Sequence, residues 1–138
     1  MNYGREVAMG AVCGLRTFTG PAIVAEGAGR NALMLLAAGE LIADKLPFMP
    51  NRTDAPGLAA RFISGAFCGV AITGRRACPR SRSERILSGI VGGTAALAAA
   101  YAGYQYRKHV KLPPLAAALL EDAVAVGAGS AIVAGLSS

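Results

Sequence analysis

The chain has no tryptophan, a single histidine and little charge: 16% of its residues are Asp, Glu, Lys or Arg, against about a quarter in soluble proteins. Its one imidazole, His109, lies in the basic run Arg107-Lys108-His109-Val110-Lys111, which reads as interfacial, and no Ser or Cys has a visible base beside it. The sequence therefore carries no catalytic set and reads as a non-enzyme. Three cysteines, Cys13, Cys68 and Cys78, lack the even count and spacing of a disulfide framework. Without a Cys-x-x-Cys pair or a histidine partner they predict no metal site, and no cofactor is expected. Cys13 and Cys68 read as small packing residues. Long uncharged runs are scarce as well, since only 86–106 exceeds 18 residues without a charge. The opening MNYGREVAMGAVCGL has an acid at Glu6 and no small-x-small cleavage site after its apolar run, so a removed signal peptide is not expected.

What is abundant is small and apolar. Hydrophobic residues make up 54% of the 138, and there are 18 glycines. This predicts an all-α integral membrane bundle forming one domain, 1–138, with a soluble Ala-rich bundle as the competing reading. The net charge of +6 is uneven, because Arg75, Arg76, Arg80, Arg82 and Arg85 fall within eleven residues. No aromatics interleave this cluster and no recognition motif accompanies it, so it does not predict nucleic-acid binding. A loop facing anionic lipid head groups is the expectation.

Backbone breakers divide the chain into five helical pieces. The first covers 5–24, with a break near Gly20-Pro21. The second covers 31–46 and stops before Pro47, because a residue preceding proline avoids the helical region. Asp54 and Pro56 suit the start of a third, 56–73, since proline is tolerated in a first turn. The fourth covers 84–106, and Pro113-Pro114 open a fifth that runs to about 136. The pentapeptides GAVCG (10–14) and GAFCG (65–69) match at an offset of 55. If they mark a duplication, two helices per unit preserve orientation and the repeat is parallel. Small residues four apart (Gly10/Gly14, Gly65/Gly69, Gly89/Gly93, Gly127/Ala131/Gly135) suit close helix contact in lipid, where hydrophobic drive between helices is small. Such surfaces also predict a homo-oligomer or a subunit of a membrane complex. Lys and Arg balance at six against six on the two sides of five spans, so positive-inside asymmetry does not set orientation. The dense 75–85 loop is placed on the cytoplasmic side.

Arg16 lies eleven residues past Arg5, about 16 Å along a helix and close to half of a ~30 Å hydrocarbon core. It cannot shed its proton, so it needs anionic partners or water. The candidates are Glu40 and Asp44, one turn apart in the second piece, and Glu121 and Asp122 in the fifth. Pro21 has no N–H for the Thr17 carbonyl, which frees that oxygen beside the hydroxyls of Thr17 and Thr19. Arg16, Thr17 and Pro21 with the four acids thus form a candidate buried polar site.

The stretches GLRTFTGP, GELIADKLPFMPNRT, GLAARFISGAFCG and LLEDAVAVG together resemble the domain of unknown function 4126 family of small bacterial integral membrane proteins. The most specific parts are Gly14-Leu15-Arg16-Thr17, Ala43-Asp44-Lys45-Leu46-Pro47 with Arg52-Thr53, and Glu121-Asp122-Ala123. The resemblance implies a multi-pass helical protein of the bacterial cytoplasmic membrane and implies no activity. Two function classes stay open. A transporter or channel would use the charged centre as a site for a small solute or ion, whereas a scaffold would use the same charges to fix its packing.

Overall fold

The computed structural model describes residues 3–25, 28–43, 54–74 and 81–137. Among them the chain is all-helical, with no strand: α1 (Gly4–Leu15), α2 (Thr19–Val24), α3 (Ala28–Ala43), α4 (Ala55–Gly74), α5 (Arg82–His109) and α6 (Pro114–Ser137). Three stretches are long and apolar enough to cross a membrane: Ala55–Gly74, Arg82–His109 and Leu115–Gly135. That fits a membrane protein.

The five expected pieces become six helices because 5–24 is not one element. Arg16 is extended, with φ −140° and ψ 117°. α1 therefore ends one turn before Gly20-Pro21, and not at it. A proline ring collides with the carbonyl four residues back, which here belongs to Thr17. Pro21 itself is buried in the first turn of α2, where no N–H is required of it. Gly129 of α6 lies beside both Val12 and Ile23, so α2 returns along α1. The two form a hairpin with residues 16–18 at its tip.

Contacts along α1 set the direction of its neighbours. Glu6 lies opposite Thr73, Cys13 opposite Cys68, and Thr17 opposite Ser64, so α4 is antiparallel to α1. Gly10 faces Gly92 and Ala95 of α5 while Gly14 faces Ala96 and Ala99, so α5 runs parallel to α1. α6 is antiparallel again, with Arg16 meeting Asp122 and Val12 beside Gly129. This corrects the expected parallel repeat. The two Gly-Ala-x-Cys-Gly motifs sit on antiparallel helices, because the hairpin adds a reversal between them.

Close backbone approach holds α1 and α4 on α5. A Cβ on Gly10 or on Gly65 would run into the same carbonyl oxygen, that of Gly92, and one on Gly69 would run into the Ser88 carbonyl. The core fills the angle between these helices with Met9, Val12, Cys13, Val24, Cys68, Ile72, Ala96 and Ala125. α3 packs chiefly on α2 and leaves Leu35 and Ile42 largely exposed. α5 begins with a capping box: Ser81 Oγ accepts the Glu84 N–H, and the Glu84 carboxylate accepts the Ser81 N–H. This start lies two residues before the expected one.

Candidate functional site

The tip of the α1–α2 hairpin gathers the candidate polar site. α1 carries Arg16 about 18 Å from its first residue, and the Arg16 side chain is only 1% exposed. Its guanidinium pairs with Asp122 of α6, whose side chain is 15% exposed. Glu121, the next residue back, turns to α5: Arg107 donates from Nε to Glu121 Oε1 at 2.8 Å and from Nη2 to Oε2 at 2.7 Å. Two adjacent acids thus serve two arginines. The Arg107 pair is a two-pronged fork, the geometry in which guanidinium and carboxylate match best.

Glu40 takes neither arginine in these hydrogen bonds. Its Oε1 accepts the Thr17 N–H at 2.8 Å and its Oε2 accepts the Phe18 N–H at 2.9 Å. Because the chain leaves α1 at Arg16 and re-enters a helix at Thr19, both N–H groups lie where no carbonyl of an earlier turn serves them. A charged acceptor from α3 supplies what the backbone lacks there. On the other side of the same peptide unit, the Thr17 carbonyl accepts from Ser64 Oγ of α4. The oxygen that Pro21 cannot serve is thereby satisfied. A largely apolar cavity of about 470 Å³ opens beside this turn, lined by Leu33, Ala60, Ile63 and Phe67 together with Thr17, Phe18, Pro21 and Ser64.

The remaining candidates divide between the described chain and its gaps. Asp44 lies outside the described residues, as do Arg75, Arg76 and Arg80. Arg82 and Arg85 are exposed at the start of α5 and line a cleft of about 490 Å³ with Val70 and Ile86. Among the described residues no group of three or more His, Cys, Asp or Glu is arranged to hold a metal ion.

Among the described residues, Glu6, Arg61, Ser64, Thr73 and Ser88 are polar residues that enter the interior without having been singled out from sequence. Glu6 is fully buried and its Oε1 accepts from Thr73 Oγ1 at 3.3 Å, toward the end of the bundle away from Arg16. Arg61 is 6% exposed on α4, one turn before Ser64. The same count along the helix puts Arg61 less deep than Arg16, six residues or about 9 Å past Ala55, but still inside an apolar segment. Glu6 gave no such signal, because it sits next to Arg5 at the expected membrane boundary. Ser64 and Thr73 are short hydroxyl residues that each reach a partner on another helix, Thr73 while also lying 2.9 Å from the Gly69 carbonyl of its own helix, and no spacing within one segment reveals the cross-helix partner.

No family model, no curated protein and no solved structure matches the chain.

Proposed function

We propose that this chain is a multi-pass protein of the bacterial inner membrane that moves a small anion together with a proton through the polar centre at the hairpin tip. Membership of the domain of unknown function 4126 family is part of the proposal and rests on the motifs around Arg16, Asp44 and Glu121-Asp122. The observation that carries the reading is the reversal of the backbone at residues 16–18 inside the bundle, with both its N–H groups on Glu40. At membrane depth, non-helical backbone is tolerated where it is buried in protein or lines a polar cavity. Transporters likewise build their midplane sites from non-helical backbone, and a buried reversal supplies such backbone here.

In this reading the Glu40 carboxylate is the resident anion of the site. A protonated carboxyl accepts hydrogen bonds less strongly than a carboxylate, so protonation loosens Glu40 from Thr17 and Phe18. A small anion then takes the two N–H groups, favoured by the adjacent Arg16. Return of Glu40 as a carboxylate expels the anion, and the proton leaves with the exchange. Arg82 and Arg85 meet anionic head groups at the start of α5, and the exposed faces of α3 and α6 meet lipid or a second copy.

The test is flux into vesicles reconstituted with the purified protein, followed with an anion electrode and an internal pH dye. Wild type is expected to move chloride or a small carboxylate with protons. Glu40→Gln, fixed in a protonated-like form, is expected to keep anion flux and lose the proton. Arg16→Gln is expected to lose both. The second reading, a scaffold, is favoured by the closure of Arg16 and Arg107 onto Asp122 and Glu121. It predicts no wild-type flux across an ion panel, with recovery of the protein in a larger native complex.

A further inference from the structure

The two equivalent cysteines of the Gly-Ala-x-Cys-Gly motifs meet across the bundle. Cys13 Sγ lies 3.4 Å from Cys68 Sγ, and both side chains are fully buried. The motif glycines explain the contact. Gly10 and Gly65 press on the same Gly92 carbonyl, while Gly14 and Gly69 press on α5 one turn further along each helix. α1 and α4 are therefore drawn onto one strip of α5 and against each other. Antiparallel packing then brings the residue before the second glycine of each motif to the same level. Gly20, in the first turn of α2, closes over the pair, because a Cβ there would run into Cys13 Sγ.

A disulfide has its sulfurs about 2.05 Å apart. Closing the remaining gap takes a movement of roughly 1.3 Å, within the reach of side-chain rotation. The cavity beside the hairpin tip is lined by Ser64 and Phe67, the latter adjacent to Cys68 in the chain. Neither cysteine lines it, and both are fully buried, so a reagent reaches the pair through local opening of the helices.

We propose that Cys13 and Cys68 are a redox-active pair that closes into an intramolecular disulfide stapling α1 to α4 directly behind the hairpin tip. The co-reactant is a small disulfide or azo compound. With an azo compound, one thiolate adds to the N=N bond. The second thiolate then attacks the sulfur of the adduct, forming the S–S bond and releasing the nitrogen fragment. Two electrons and two protons pass from the two S–H groups to the azo bond, which leaves as a hydrazine. The disulfide closes a loop across 55 residues and ties the hairpin to α4. It does not depend on what the polar centre binds.

The experiment uses the full chain in detergent with Cys78→Ser, so that Cys13 and Cys68 are the only thiols. After treatment with diamide the protein is unfolded in SDS and labelled with a maleimide-polyethylene glycol, and its intact mass is measured. The expected product is a monomer with no alkylatable thiol, two hydrogens lighter and restored by a phosphine. Its melting temperature should rise by several degrees, as closure of a long loop predicts. Cys13→Ser and Cys68→Ser in the same background are expected to show neither change. Persistence of both thiols after oxidation a few degrees below the melting temperature overturns the proposal. So does a product made only of cross-linked dimers.

Discussion

The Arg16 guanidinium and the Asp122 carboxylate meet between α1 and α6 with the arginine almost wholly removed from solvent. Removing one partner leaves the other charged and buried, at a cost of about 3 to 5 kcal/mol. Arg16→Ala is therefore expected to melt far below wild type in detergent, whereas Arg82→Ala, an exposed charge, shifts stability by under about 1 kcal/mol. Replacing the pair together, Arg16→Met with Asp122→Leu, is expected to recover much of the loss, because neither of these two charges is then buried without the other. Equal melting of the Arg16 and Arg82 variants contradicts a buried pair.

Glycine substitutions separate two physical effects of opposite sign. Gly69→Ala drives a methyl group into the Ser88 carbonyl on the neighbouring helix. Overpacking of this kind costs about 1 to 3 kcal/mol. Gly39→Ala meets nothing within 4 Å and should stabilise α3 by up to about 1 kcal/mol through helix propensity alone. Thermal melts of the two variants, side by side, check both signs.

Ser64 holds the Thr17 carbonyl, the oxygen four residues before Pro21. Ser64→Ala removes the donor to the Thr17 carbonyl and should cost about 1 to 3 kcal/mol, the penalty for a buried acceptor left unserved. Pro21→Ala restores an N–H one turn from that carbonyl. In the double variant this N–H replaces the serine hydroxyl, so the two effects should fall short of additive. Strict additivity in a double-mutant cycle shows that the two residues do not share the oxygen.

Sodium carbonate extraction addresses the membrane reading directly. The three long apolar helices are expected to hold the protein in the pellet, because inserted helices are not released by charge screening or high pH. Appearance in the supernatant puts the soluble Ala-rich bundle in first place.

The segments from α4 onward could be read from sequence, because proline, runs of arginine and apolar runs act locally. Pro56, Pro113-Pro114 and the uncharged run 86–106 place α4, α5 and α6 to within a few residues. That Arg16 is buried and needs an acid could also be read, since a charge inside an apolar segment is visible in the segment itself. The division of those acids could not. Asp122 went to Arg16, Glu121 to Arg107 and Glu40 to two backbone N–H groups, and each choice depends on the rotation of α6 and α3 about their axes. The same holds for the reversal at residues 16–18. Pro21 marks a break, but only the packing of Ile23 and Val12 on Gly129 decides that the chain turns back instead of bending and continuing. That reversal makes α1 and α4 antiparallel, and so brings Cys13 against Cys68. From α4 onward local sequence determined where helices start and stop, and along the whole chain where charge falls; tertiary structure decided where α1 ends and which charges and thiols meet, because a contact between helices depends on their direction, rotation and register, which no single segment encodes.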